Sequence, residues 1–182
     1  MTDIDVMAAT LLEESKRFLE KAQANVSDNE ARDAYLHAAL NIAFCSLEAH
    51  INSIAEDQLL RSDISLHERA LLSERKVELV GGQFQIQTGL QMYRLEDRLQ
   101  YLWTRFSTEP AFDKKTPAWG QLKAGLELRN GLTHPKFMVS LTVDSVRQSL
   151  SAVIEIIDIA YRRIYKRPFP AKGKDLHSTL AF

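Results

Sequence analysis

The chain has 182 residues, with 24 acidic and 23 basic side chains and a formal net charge of -1. This length predicts one domain with a hydrophobic core large enough to stabilise the fold without disulfide bonds or a structural metal. Cys45 is the single cysteine, which excludes a disulfide framework and a thiolate metal site within one chain. The balanced charge argues against a general polyanion binder, so any contact with nucleic acid has to come from a local basic patch.

The N-terminus and the hydropathy pattern predict a cytoplasmic protein without membrane contact. Residues 1–5 are acidic and lack the basic and apolar regions of a secretory signal. No stretch approaches the ~20 consecutive apolar residues that a membrane-spanning helix needs. We therefore expect a soluble chain.

The first third of the chain predicts two long helices that pack antiparallel. Apolar residues at helical spacing predict the first helix over residues 3–24. Ser27 and Glu30 have the spacing of a capping box, which predicts that a second helix begins there and runs to about Leu60.

The next segment predicts a short helix and a turn. Ser65 and Glu68 repeat the capping-box spacing and predict the start of a third helix. Residues 76–80 and 83–87 alternate polar and apolar side chains around two glycines, which is the pattern of a β-hairpin with a two-residue turn. The alternative prediction for the same residues is a helix followed by a loop.

The second half of the chain predicts three further helices. Residues 95–106 carry one helical face, and a loop over 110–117 precedes a short helix. Thr142 can cap a last helix whose 3-4 apolar alternation continues over residues 143–164, a pattern typical of a helix at a bundle centre or a subunit interface. We therefore predict an all-α fold, an up-and-down bundle of about five to six helices, which accommodates one short β-hairpin near residues 76–87.

An arginine and a histidine stand close together at the end of the short helix. Trp119, Leu122 and Leu126 fall on one inward stripe, and the next position on that stripe is Arg129, where a guanidinium replaces an apolar side chain. His134 lies five residues later, which on an ideal helix is about 140° away, since each residue advances about 100°.

The residues between and after this pair favour a break in the helix. Gly131 weakens the helix, and Pro135 biases His134 away from the helical conformation. We therefore predict that the chain turns there and brings the imidazole back toward the guanidinium.

The run Arg129-Asn130-Gly131-Leu132-Thr133-His134 resembles the R-x4-6-H signature of the HEPN superfamily, including the polar residue that commonly follows the arginine. The setting is similar as well, because the motif precedes the last long helix of an all-helical chain. One toxin branch of that superfamily has a tyrosine two residues after the histidine, where this chain has Lys136.

The resemblance implies a metal-independent endoribonuclease that acts as a toxin or an antiviral defence effector. In this chemistry the RNA 2′-hydroxyl attacks the adjacent phosphorus and leaves a 2′,3′-cyclic phosphate. The implied roles are acid-base catalysis for His134, charge stabilisation for Arg129 and orientation of one of them by Asn130. No cofactor is expected, and His50 and His67 have no acid or cysteine at metal-ligand spacing.

The resemblance also implies partners and a domain organisation. The implied site forms where the motifs of two protomers meet, so the expected assembly is a homodimer that takes RNA as substrate. An antitoxin, such as a nucleotidyltransferase, is a further implied partner. Residues 1–168 would form the HEPN-like helical domain and residues 169–182 a basic C-terminal tail. Residues 162–174 hold six Lys or Arg and no acid, which indicates either a solvated tail or a grip on phosphates.

The second helix offers one more candidate for the site. His37, Asn41, Glu48 and Asn52 lie opposite the core leucines, and a solvated face is the simplest interpretation. Glu48 stands in an apolar segment, however, so the alternative is that its carboxylate faces a cleft and orients one of the motif side chains.

Other interpretations of the motif stay open. Arg129 near a helix C-terminus is favourable by some tenths of a kcal/mol without any further task. His134 then serves as a loop histidine and Asn130 as a turn residue. On these interpretations the chain is a non-catalytic HEPN-like module that binds RNA, nucleotides or protein, or a helical scaffold in which Arg129 pairs with an acid across a dimer.

Overall fold

The structure is a computed structural model that describes residues 2–25, 27–136, 138–174 and 176–182. Those residues form six helices and one antiparallel hairpin. The elements are α1 (Asp3–Ala24), α2 (Asn29–Leu59), α3 (Leu66–Leu72), β1 (Arg75–Val80), β2 (Gln83–Leu90), α4 (Leu95–Arg105), α5 (Pro117–Thr133) and α6 (Val143–Tyr165). The predicted helical bundle with a short hairpin is confirmed. In the described part of the chain, every helix is too short or too polar to cross a lipid bilayer.

Helices α1 and α2 run antiparallel and share buried serine contacts. The Oγ of Ser15 donates to the carbonyl of Ala39 at 2.8 Å, and the Oγ of Ser46 donates to the carbonyl of Ala8 at 2.9 Å. Early residues of α1 therefore face late residues of α2. A serine hydroxyl bonded in this way is buried without loss of its hydrogen bond, which allows the two helices to approach closely.

Helix α6 lies at the centre of the bundle, where it contacts α1, α2, α4 and α5. Its predicted apolar stripe is buried within the chain: Val146, Leu150, Val153, Ile156, Ile157 and Ala160. The interpretation of this stripe as a bundle centre is therefore confirmed. Because it is already covered, the stripe is not available as a subunit interface.

The helix caps follow the sequence in two of three predicted cases. Ser65 and Thr142 cap α3 and α6, as predicted, and the predicted capping box at Ser65 is present; Thr142 forms a box as well, with Ser145. The predicted box at Ser27 is wrong, because Asp28 is the N-cap of α2 and accepts from the N–H of Ala31 at 3.0 Å. Aspartate caps a helix as well as serine does, and here it stands one residue nearer the first turn.

The hairpin is built on a tight glycine turn. Gly81 and Gly82 have φ of 59° and 80°, so both occupy the left-handed region that a two-residue type I′ turn requires. Val77 pairs with Ile86, in a register that places apolar side chains opposite each other. The hairpin packs on α3, and its second strand leads through residues 91–94 into α4.

The chain beyond residue 168 packs against the bundle. Phe169 belongs to the core, and its N–H donates to Asp158 Oδ1 at 2.8 Å. The Oγ of Ser178 donates to the carbonyl of Glu13 at 2.8 Å. The ring of Phe182 packs edge-on against Phe18, with 5.8 Å between the ring centroids. The end of the chain is therefore anchored to α1.

A glycine sets the distance between α5 and its neighbours. A Cβ built on Gly125 would lie 2.6 Å from Ser149 Oγ, 2.8 Å from Ser149 Cβ and 3.3 Å from Phe44 Cζ. The contact with a Cβ cannot be relieved by a side-chain rotation, so any larger residue forces α5 away from α6. Gly125 therefore helps to determine where the motif at the end of α5 is held.

We predict that Gly125→Ala destabilises the protein, whereas the matched Gly120→Ala stabilises it. Both glycines lie in α5, but a Cβ on Gly120 meets nothing within 4 Å. Gly125→Ala should lower the free energy of unfolding by about 1–3 kcal/mol through overpacking. Gly120→Ala should raise it by up to about 1 kcal/mol, the difference in helix propensity. Urea denaturation measures both changes, and equal stabilisation by the two substitutions would contradict the close approach of α5 and α6.

Candidate functional site

Helix α5 carries the motif from the core to the surface. Thr116 caps the helix, and Pro117 occupies its first position, where a missing N–H is tolerated. Trp119 and Leu122 are buried, and farther along the same stripe the side chain of Arg129 is 23% exposed. Arg129 therefore lies on the predicted inward stripe, at the point where that stripe reaches the protein surface.

Arg129 is held by two oxygens from different elements. Its Nη2 lies 2.8 Å from Oε1 of Glu48 on α2, and its Nη1 donates to Oδ1 of Asn130 at 3.1 Å. The side chain of Glu48 is 38% exposed. A guanidinium has five N–H donors, so these two contacts fix its plane and leave donors for a ligand. The geometry agrees with the interpretation in which Glu48 orients Arg129.

The predicted break in the helix lies at its Pro135 side, and Gly131 remains within the helix. Helix α5 continues through Gly131 to Thr133, and the chain leaves the helix at His134, directly before Pro135, with φ -131° and ψ 63°. Gly131 has a different task. A Cβ there would lie 2.6 Å from Cγ2 of Val139, so the glycine makes room for the segment that returns toward α6.

His134 does not join the group around Arg129 within one chain. Its N–H still donates to the carbonyl of Asn130 at 2.9 Å, as in a helix. The imidazole is exposed, and among the described residues no hydrogen bond or ion pair joins it to the guanidinium. The contacts thus bring together Arg129, Asn130 and Glu48, whereas the predicted return of His134 toward Arg129 gives no contact between the two side chains within one chain.

Arg98 is a second arginine beside Glu48 that the sequence reasoning missed. Its side chain is buried, and it lies 2.8 Å from Oδ1 of Asn52 and 3.2 Å from Oε1 of Glu74. Burial lowers the pKa of Arg98, while the charges of Glu74 and Glu48 oppose that shift. Arg98 stands at an inward position of α4, as Arg129 does on α5. The same sequence pattern could therefore have identified it. Glu48 therefore lies in the field of two guanidinium groups.

The polar face of α2 divides into two halves. Asn52 and Glu48 each accept from an arginine, and Glu48 also lines the cavity beside Arg129. The Nδ2 of Asn41 donates to the carbonyl of His37, whose side chain is exposed. His37 precedes Glu48 by 11 residues, or about 16 Å along the helix, and it lines a second cavity with Gly131, Pro135 and Lys136 at the end of the motif.

A cleft of about 440 Å³ opens beside Arg129, and we refer to it as the Arg129 cleft. One side is residues 92–94 of the connection between β2 and α4 together with the first two residues of α4, and the other is the outer face of α5, with Glu48 contributing from α2. Three cations and three carboxylates line it: Arg94, Lys123, Arg129, Glu48, Glu96 and Glu127. The cleft is therefore electrically balanced, and its aromatic side chain is Tyr93.

The basic run near the C-terminus is largely neutralised. Arg162 lies 2.8 Å from Asp158, Lys166 lies 3.2 Å from Glu109, and Lys172 pairs with Glu155. Arg163 lies 3.6 Å from Glu109, and Arg167 stacks over the rings of Tyr161 and Tyr165. The Arg129 cleft, by contrast, contains the arginine of the motif and an accessible cavity, so it is the better candidate site.

A search of the described residues for three or more His, Cys, Asp or Glu side chains arranged around a metal position finds none. The chain was also compared with known proteins. No protein-family model, no characterised protein and no solved structure matches it. Its function therefore has to be inferred from the motif and from the geometry of the Arg129 cleft.

We predict that the loss of the Arg129 guanidinium costs little stability, because Glu48 is open to water and can be hydrated when its partner is removed. Arg129→Ala should lower the free energy of unfolding by about 1 kcal/mol or less, as for other exposed pairs. Arg98→Ala should cost about 3 kcal/mol, since it strands partners at a buried position. Urea denaturation compares the two variants. A cost for Arg129→Ala as large as that for Arg98→Ala would mean that Arg129 is a structural arginine.

Proposed function

We propose that the protein is a metal-independent endoribonuclease similar to HEPN toxins and defence effectors, and that it cuts RNA at the Arg129 cleft. The observation that supports this most is the setting of Arg129. Glu48 and Asn130 fix its guanidinium at the edge of a solvent-filled cleft. A permanent cation with paired donors, held rigid and accessible, suits the oxygens of a phosphate.

The proposed reaction is an internal phosphoryl transfer. The RNA 2′-oxygen forms a bond to the adjacent phosphorus, the bond from phosphorus to the 5′-oxygen breaks, and the products are a 2′,3′-cyclic phosphate and a 5′-hydroxyl. His134 takes the proton from the 2′-hydroxyl or delivers one to the leaving 5′-oxygen, a task that suits an imidazole near neutral pH. Arg129 stabilises the negative charge that builds up on the phosphoryl oxygens.

Glu48 and Asn130 act on the substrate through Arg129. They hold the guanidinium plane, which reduces the reorganisation needed when the phosphate arrives. A carboxylate close to the phosphate also repels it, and Arg98 offsets this cost because its positive charge lies near Glu48. We therefore assign Glu48, Asn130 and Arg98 as positioning residues.

A second copy of the chain would supply the histidine. His134 lies outside the group around Arg129 in one chain, and a homodimer with facing motif helices could combine Arg129 of one copy with His134 of the other. The apolar stripe of α6 is buried within the chain, so this interface would use the surface around the motif instead. An antitoxin partner would act by covering the same surface.

The alternative function is an RNA-binding module that does not cut. Two observations favour it: among the described residues no contact joins His134 to Arg129, and the charge of the cleft is balanced. On this alternative Arg129 still meets a phosphate, but no group transfers the proton.

We expect the purified protein to cut single-stranded RNA in the presence of excess EDTA. A substrate with one 2′-deoxynucleotide at the scissile position should stay intact, because the attacking oxygen is missing. Gel analysis of end-labelled RNA measures both, and the products should carry a cyclic phosphate. If EDTA abolishes cleavage and magnesium restores it, the proposed mechanism is wrong.

In the same assay, His134→Ala should lower the rate at least 10²-fold, the usual contribution of a general acid or base. Arg129→Ala should lower it about 10²- to 10³-fold. His67→Ala is the matched control, since it removes an exposed histidine on α3 that lies outside the motif. A folded His134→Ala protein that cuts at the wild-type rate would refute the nuclease and favour the binding module.

A further inference from the structure

We propose that the Arg129 cleft binds a short single-stranded segment of RNA, with one base stacked on Tyr93 and neighbouring phosphates at Arg94 and Lys123. This inference rests on the proposed function, because it takes the cleft as the place where RNA is bound for cutting. It adds the residues that hold the strand and the form of RNA that is accepted.

Tyr93 presents an aromatic face in the segment that forms one side of the cleft. Its residue surface is 38% exposed, and the preceding Met92 is 77% exposed. Both lie in the connection between β2 and α4, outside the helical core. An exposed aromatic ring beside a phosphate-binding arginine suits a nucleobase, because stacking on a tyrosine covers the apolar faces of both partners.

Two cations line the same cleft as this ring. The side chain of Arg94 is 75% exposed and that of Lys123 is 47% exposed. Both face Glu96, at 3.6 Å and 3.8 Å, distances beyond a normal hydrogen bond. Exposed pairs of this kind contribute little, so a phosphate can replace the carboxylate at small cost.

The spacing along α5 matches a short strand. Lys123 and Arg129 are six residues apart, which is about 9 Å along a helix at 1.5 Å per residue. A single strand of only a few nucleotides is enough to reach both side chains. The segment that contacts the cleft is therefore short.

The charge balance of the cleft determines which nucleic acids it accepts. Its three carboxylates offset its three cations, so affinity depends on stacking more than on phosphate contacts. The bases of a duplex are already stacked on one another and cannot reach Tyr93, whereas those of a single strand can. Three phosphate contacts, at Arg94, Lys123 and Arg129, predict a modest salt dependence, with a slope of log K against log salt of about -2.1.

Binding can be measured separately from cutting with a short fluorescein-labelled 2′-O-methyl oligoribonucleotide, which cannot undergo attack by a 2′-hydroxyl. In fluorescence anisotropy, Tyr93→Ala should raise Kd about 5- to 150-fold, the loss expected for one base stacked on an aromatic ring. Tyr93→Phe should retain binding, since it keeps the ring. Arg94→Gln and Lys123→Gln should each raise Kd and reduce the salt slope by about 0.7.

Two matched controls lie outside the cleft. Phe84→Ala removes an exposed aromatic ring from the hairpin, and Arg147→Gln removes an exposed cation from α6. Neither should change Kd. The inference is overturned if wild-type protein does not bind the oligonucleotide, if Tyr93→Ala binds as tightly as wild type, or if a duplex or a free mononucleotide binds as tightly as the single strand.

The same variants distinguish this inference from the proposed function. If unmodified RNA is cut at the wild-type rate and KM by Tyr93→Ala, the nuclease stands and the strand-binding role of Tyr93 is lost. If Tyr93-dependent binding is found but unmodified RNA is never cut, the strand-binding site stands and the nuclease is lost. An increase in KM with little change in kcat for Tyr93→Ala would support both.

Discussion

The contact between Arg129 and Glu48 joins the end of the motif helix to the longest helix of the bundle, and the site depends on it. The contact requires α5 to lie close to its neighbours, which the missing Cβ of Gly125 permits. The positive charge of the buried Arg98 also acts on Glu48, in addition to that of Arg129. The resulting arginine is fixed by its partners yet open to solvent. This combination distinguishes a ligand-binding arginine from one that only stabilises a helix end.

Much of the site could be predicted from local sequence. The inward position of Arg129, the turn at Pro135 and the glycine turn of the hairpin all follow from short-range rules. Gly131 shows the limit of such rules. A glycine within a helix costs about 1 kcal/mol, which predicts a break, but the close packing of Val139 against it gives a reason to keep the helix intact. Only the tertiary structure reveals that packing.

The remaining features depended on residues that are distant in sequence. The basic run over residues 162–174 contains no acid, yet Glu109, Glu155 and Asp158 neutralise much of it in the folded chain. The wall of the Arg129 cleft comes from the connection between β2 and α4, about 35 residues before the motif, a distance that no periodicity encodes. The charges of the local run are thus met by acids from elsewhere in the chain, while a charge-balanced cleft holds Arg129.

In the proposed nuclease, Arg129 and His134 serve one RNA-cutting site although no contact joins them within a chain. Mixing Arg129→Ala with His134→Ala protein tests this claim directly, after light scattering has established a dimer of twice the 20.7 kDa chain mass. Each variant alone should be inactive. After random exchange of subunits, roughly half of the dimers contain one copy of each variant. In each of these mixed dimers one of the two sites is intact, so the mixture should regain roughly a quarter of the wild-type activity. A mixture that exchanges subunits but stays inactive would contradict a site shared between two copies.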